Sequence, residues 1–227
     1  MKFTWLGQAG LLFEKGNTKI IIDPYLSNSV EKINPENYRR VAIDESFFDV
    51  NPDVMIFTHD HLDHFDPETA EKFLCKEQKT ILVLSPSSVW QKAREYKGEH
   101  NYVLFNPVTE WTEGNFLFKA VFAEHSDPCA IGVIIEDLVE NKTYYVTGDT
   151  LYSERIFSSL PKSVDYLFLP INGTGNNMNV CDAERFAKRV GASFVIPIHY
   201  GMFDNLNPDV MKVKGLRILE IYKKTTL

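Results

Sequence analysis

Apolar residues arrive early and in short bursts. Phe3 to Leu6, Leu11 to Phe13 and Lys19 to Ile22 are runs of strand length, followed by a fourth at Val54 to Phe57, and this rhythm predicts strands, with the first half of the chain arranged as a meander. Helical signals are interleaved further on. Asp66-Pro67-Glu68 offers an N-cap, a proline at the first helical position and an acidic first turn, which predicts a helix running to about Leu74. Ser85-Pro86 repeats the signal before Val89, Trp90, Ala93 and Tyr96, with Gly98 as the stop. The best-formed helix opens at Asn179, with Asp182 three residues on. It shows one apolar face of Val180, Ala183, Phe186, Ala187 and Val190, and stops at Gly191. Because it lies between the apolar runs Val164 to Leu169 and Phe194 to Ile198, a β-α-β unit with parallel strands is expected there. Periodicity therefore gives an α/β or α+β fold. The polar stretch from Ser27 to Pro52 is too long for a simple connection and is expected to be a flap or a solvated insertion.

With 227 residues and 44% hydrophobic content, the chain can bury one substantial core, and a single domain over 1–227 is expected. Charge narrows the partners. Lys and Arg number 24 against 31 Asp and Glu, a formal net charge of -7 without a basic block longer than two, so the footprint of a nucleic-acid binder is missing. No apolar run approaches the roughly 18 to 20 residues needed to span a bilayer, and the N-terminus lacks the pattern of a signal peptide, so a cytoplasmic protein without membrane attachment is expected. Cys75, Cys129 and Cys181 form an odd, widely spaced set that predicts reduced thiols rather than a disulfide framework. Oligomeric state is not legible in the sequence.

The chemistry concentrates in Thr58-His59-Asp60-His61-Leu62-Asp63-His64, where three imidazoles and two carboxylates crowd into six positions directly after a buried-looking run. Such polar density is tolerated where a cation offsets the desolvation. In an extended backbone alternate residues share a side, so His59 and His61 are placed to grip one ion, while the turn at Asp63 and His64 feeds a second. Three further residues stand where apolar strands give out: His125 after Phe116 to Ala123, Asp149 after Tyr144 to Thr147, and His199 after Phe194 to Ile198. Strand ends deliver side chains to one rim of a sheet, which is how distant ligands meet. His100, in a polar stretch, reads as a solvated loop residue. Two divalent ions are implied, with zinc, manganese or iron all compatible with the donor set.

An Asp closing an early strand, here Asp23, followed by H-x-H-x-D-H and then His, Asp and His in order, resembles the metallo-β-lactamase superfamily over nearly the whole chain. The resemblance implies a four-layer αββα sandwich and a metal-dependent hydrolase. One metal would be held by His59, His61 and His125, the other by Asp63, His64 and His199, with Asp149 bridging. Asp23 would accept a hydrogen bond from a ligand imidazole. A hydroxide bridged by the two metals would attack the substrate, with Asp63 taking up the proton. Three strings carry a closer likeness to the L-ascorbate-6-phosphate lactonases: Thr58-His59-Asp60-His61, Pro170-Ile171-Asn172-Gly173 followed by Asn176-Asn177-Met178, and Ile198-His199-Tyr200-Gly201-Met202-Phe203-Asp204-Asn205. On that likeness the substrate is a small lactone or ester, Asn172, Asn176 and Asn177 line its pocket, and Tyr200 donates to the developing oxyanion. No Arg or Lys lies between Asn172 and Asn177, which leaves a phosphate on the substrate without an evident partner in that loop. The alternatives are a phosphodiesterase or phosphoesterase acting on a small nucleotide, and a catalytically silent metal-binding scaffold.

Overall fold

The computed structural model describes residues 1–76 and 79–227. They form two compact units, one of Met1–Leu104, Gly201–Asn205 and Leu219–Leu227, the other of Phe105–Tyr200 and Leu206–Ile218.

In the first unit β1 (Lys2–Gly7), β2 (Gly10–Lys15) and β3 (Thr18–Ile22) form an antiparallel meander. The meander stops there. Beyond it β4 (Val54–Ile56), β5 (Leu82–Ser85) and β6 (Asn101–Leu104) all run parallel to β3, which corrects the expectation of a meander through the first half. The reason is local: α2 (Pro67–Leu74) and α3 (Ser87–Ala93) fill the connections after β4 and β5 and carry the chain back to the starting end, as parallel pairing requires. A terminal strand, Thr225–Thr226, pairs with β1 and completes seven strands. Leu12, Ile21, Met55 and Val83 on the strands, with Phe57 just after β4, pack with Phe73, Leu74, Val89 and Ala93 on the helices, and all are buried.

The start of α2 is built as its sequence requires. The buried Asp66 carboxylate accepts from the Glu68 and Thr69 N–H groups, with Pro67 in the first turn, a cap worth about 1 kcal/mol. Tyr96 lies beyond the end of α3, which stops at Ala93. His100 is not the solvated residue expected. Its Nδ1 accepts from Ile81 N–H at 3.2 Å while Nε2–H donates to Leu74 O at 3.1 Å, tying the end of α2 to the entry of β5. Gly98 belongs to the same knot, since a Cβ there would sit 1.9 Å from Leu74 O.

The stretch from Ser27 to Pro52 contains α1 (Ser29–Ile33) and a 3-10 turn at Glu45–Asp49; residues 31–36 are exposed, while side chains further along are fastened to the unit. Arg39 donates to Tyr25 O at 2.8 Å, Val41 O at 3.3 Å and Tyr222 Oη at 3.0 Å. Ile43, Phe47, Phe48 and Val50 pack on the core.

The second unit is a six-stranded mixed sheet. β7 (Glu110–Glu113), β8 (Phe116–Phe122), β9 (Ile131–Asp137) and β10 (Lys142–Val146) are antiparallel neighbours, and β11 (Tyr166–Pro170) and β12 (Phe194–Ile198) continue in parallel. The short α4 (Glu154–Phe157) precedes β11, and α5 (Val180–Val190) links β11 to β12 as the expected β-α-β crossover. Asn179 caps α5 by accepting from Asp182 N–H, and Gly191 ends it at φ 72°, the left-handed conformation in which glycine carries no steric penalty. Among the described residues no helix is long and apolar enough to cross a membrane.

Candidate metal centre

In the first unit β3 and β4 end side by side, and their last residues hand over the polar cluster. Asp23 follows β3 at φ 43°, its N–H bonded to Ile56 O at 3.0 Å. Thr58 and His59 follow β4, and the chain then turns on itself, with His64 N–H and Phe65 N–H both reaching His61 O. Asp23, Thr58, His59 and His64 are each at most 1% exposed. Ligand atoms of Asp23, His59 and His64 all lie within 4.8 Å of one another. The His59 ring lies 4.6 Å from that of His61 and 4.0 Å from that of His64, centroid to centroid. Asp63 Oδ2 stands 4.0 Å from His64 Nε2.

Hydrogen bonds assign the tautomers. Asp23 Oδ1 accepts from Thr58 N–H at 2.8 Å, and Oδ2 accepts from the Thr58 hydroxyl at 2.5 Å. The single hydroxyl proton of Thr58 is thereby used, so Thr58 Oγ1 receives His59 Nδ1–H at 3.0 Å. Asp23 Oδ2 also receives His64 Nδ1–H at 2.8 Å. Both buried imidazoles therefore present Nε2 as a lone pair, the form in which histidine binds a metal. Gln8, absent from the sequence reading, joins them: its amide donates to Asp63 Oδ2 at 2.7 Å, and its side chain is buried. A signal was available, because Gln8 is a polar residue directly after an apolar strand, the logic that located His125, Asp149 and His199.

In the second unit the three strand-end residues stand where the sequence places them. His125 lies beyond β8, Asp149 beyond β10 and His199 beyond β12. Asp149 Oδ2 is 3.2 Å from His199 Nε2, and both side chains are almost fully buried. The half-buried His125 donates through Nδ1 to Asn176 O at 3.2 Å, which again leaves Nε2 as the lone pair.

The asparagine loop divides into different jobs. Asn177 is buried, and its amide donates to Asp149 Oδ2 at 2.7 Å while its oxygen accepts from Thr150 N–H at 3.0 Å. Expected to contact substrate, it holds Asp149 with its amide and the Thr150 backbone with its oxygen. Asn172 donates to Thr174 Oγ1 at 3.0 Å, and Asn176 is exposed at φ 62°, offering its carbonyl to His125. Tyr200 is 6% exposed, and burial, reinforced by the charge of Asp209, holds its hydroxyl proton well above the ordinary tyrosine range. Cys75, Cys129 and Cys181 are thiols, and none joins a metal-capable group among the described residues.

The donor chemistry fits divalent metals: neutral imidazoles with fixed tautomers, beside carboxylates anchored by amide and hydroxyl donors. Two mixed sheets, each with its own helices, carrying histidine and aspartate at strand ends define a protein of the metallo-β-lactamase fold. The sequence profile of the beta-lactamase superfamily domain matches residues 2–199, and the chain belongs to that family. It is 27% identical over 217 residues to a UPF0173 protein of Pyrococcus furiosus, covering 93% of this chain and 89% of the relative. A UPF0173 metal-dependent hydrolase of Oenococcus oeni is 28% identical over 227 residues, covering 93% and 91%. Among solved structures, the metallo hydrolase Igni18 of Ignicoccus hospitalis superposes with a TM-score of 0.77 at 20% identity, over 99% of this chain and 97% of that one.

Proposed function

We propose that the protein is a metal-dependent hydrolase that works with two divalent ions, zinc or manganese, with iron also compatible. His59, His61 and His125 would hold one ion, Asp63, His64 and His199 the other, with Asp149 available to both. The observation that carries this reading is the tautomer set: Thr58, Asp23 and the Asn176 carbonyl each take the Nδ1 proton of a histidine and turn its Nε2 into a donor. Membership of the beta-lactamase superfamily domain family, and relatives named metal-dependent hydrolases, support the same class. Such ions supply a water activated near neutral pH and positive charge to polarise the substrate oxygen.

The protein's own residues direct the proton and the charge. Asp63, oriented by Gln8, takes the proton released on attack and returns it to the leaving oxygen. Tyr200 keeps its proton because burial opposes ionisation, so it acts as a donor to the oxyanion and not as a base. Asn172 and Asn176 line the approach of a small lactone or ester, the substrate class drawn from the likeness to L-ascorbate-6-phosphate lactonases. The test pairs metal analysis with turnover. Purified, unchelated protein is expected to hold about two ions per chain and to open γ-lactones faster than it cleaves p-nitrophenyl phosphodiesters. Asp63→Asn is expected to lose turnover and to weaken the ion shared with His64 and His199; full metal content with full turnover would refute the role given to Asp63. Empty protein would refute the metal centre, and preferential phosphodiester cleavage would replace the lactone with a phosphate ester.

A further inference from the structure

A cavity of about 760 Å³ lies in the second unit, between the C-terminal half of α5 and the segment Lys212–Lys214. Its floor is made of small residues, Ala187, Gly191 and Ala192, which is why space remains there. Lys188 stands on the helix wall, Lys212 and Lys214 on the other. The walls are fixed. Glu184 accepts from Lys212 N–H at 2.5 Å, and Gly215 O accepts from Val195 N–H at 3.0 Å, holding the segment against α5 and β12. Lys212 folds back onto Asp209 O at 3.2 Å. Lys188 and Lys214 have no carboxylate partner among the described residues. Arg185 also lines the cleft but is paired with Asp182 at 3.1 Å, and Glu184 is the one carboxylate of the lining, so in a chain of net charge -7 Lys188, Lys212 and Lys214 leave a local excess of positive charge around a concave, partly apolar space.

We propose that this cleft binds a small molecule carrying a phosphomonoester group, its phosphate between Lys188 and Lys214 and its body against Ala187, Ala192 and Val213. The dimensions favour a small molecule over a polymer. From Glu184 to Gly191 the helix wall runs only about 10 Å, and the facing wall is three residues long, while the volume falls within the ~300–1,000 Å³ of small-molecule sites. Lysine ammonium groups suit phosphate as point charges. The cleft is separate from the metal ligands of its unit: β12 begins beside Ser193 and delivers His199 only at its far end, roughly 17 Å away for five extended residues.

The experiment measures binding of AMP, inorganic phosphate and adenosine by ligand-observed NMR and calorimetry. The proteins compared are wild type, the Lys188→Gln/Lys214→Gln double variant, and His61→Ala to discount phosphate taken up by the metal centre. The expected result is binding of AMP to wild type and His61→Ala alike, at least tenfold weaker in the double variant, weakened by salt, and lost for adenosine. Hydrolytic turnover of the double variant should stay within twofold of wild type. No binding of AMP, binding unchanged by the double variant, or equal binding of adenosine would overturn the proposal. Capture of a poly-glutamate peptide in preference to AMP would overturn it in favour of a protein partner.

Discussion

Replacing Asp23 by Asn tests the metal centre at the point where fold and chemistry meet. Asp23 stands at φ 43°, a left-handed conformation that asparagine adopts about as readily as aspartate, so the backbone should persist and only the carboxylate is changed. That carboxylate accepts from Thr58 N–H on one oxygen and from the Thr58 hydroxyl and His64 Nδ1–H on the other. An amide has a single acceptor. Turned one way its NH2 meets Thr58 N–H; turned the other it meets the hydroxyl and the imidazole, so either orientation sets donor against donor in a site at most 1% exposed. Each hydrogen bond to a charged group contributes about 1.5–3 kcal/mol, and a stranded buried donor costs about 1–3 kcal/mol. The metal-free variant should therefore lose roughly 2–4 kcal/mol of stability. Without its acceptor, His64 is released from the tautomer that presents Nε2, and metal affinity should fall about 10- to 100-fold. Competition with a fluorescent chelator measures the affinity, and urea denaturation of metal-free protein measures the stability. If Asp23→Asn binds metal within about threefold of wild type, well short of that range, the orienting role assigned to Asp23 is wrong.

Asn177→Ala strands Thr150 N–H and removes a donor from Asp149; a destabilisation of about 2–3 kcal/mol is expected even without metal, whereas a residue serving substrate alone would leave the melting temperature unmoved. Tyr145 is a fully buried tyrosine whose hydroxyl has no hydrogen-bond partner among the described residues, so Tyr145→Phe should stabilise the protein by about 1 kcal/mol, read as a melting point higher by about 2–4 °C; a lower one would show that the hydroxyl is satisfied. His100 carries a pKa lowered by burial, which outweighs the opposing hydrogen bond to Leu74 O. The unfolded chain thus binds the proton more readily, and the stability tied to the neutral ring is complete above the ordinary histidine value of about 6.5 and declines as pH falls from there towards the folded value. His100→Gln should flatten that slope relative to wild type in denaturation series across the window; identical slopes would count against it.

What the sequence revealed, and what it hid, follows from how far each interaction reaches along the chain. Signals held within a few residues were readable: Asp66-Pro67 opening α2, and Asn179 and Gly191 bracketing α5. The placement of His125, Asp149 and His199 at strand ends was readable too, because an apolar run that stops at a histidine or aspartate is a local pattern even when its partners are remote. The direction of β4, β5 and β6 was not, since three- and four-residue strands give no hint of parallel pairing until the helices between them are counted as crossovers. Nor were the supports of the site. Gln8 reaches Asp63 across 55 positions and Asn177 reaches Asp149 across 28, and a single amide side chain looks the same in a sequence whether it meets solvent, substrate or a buried carboxylate. His100 misled for the same reason: its two partners, Leu74 and Ile81, lie 26 and 19 residues back, so a polar neighbourhood in sequence concealed a half-buried place in the fold. A candidate metal site built from strand ends therefore shows its candidate ligands in the sequence but keeps its tautomer control hidden in long-range contacts, and the side chains that fix Nδ1 are where substitutions should alter metal binding without touching a candidate ligand.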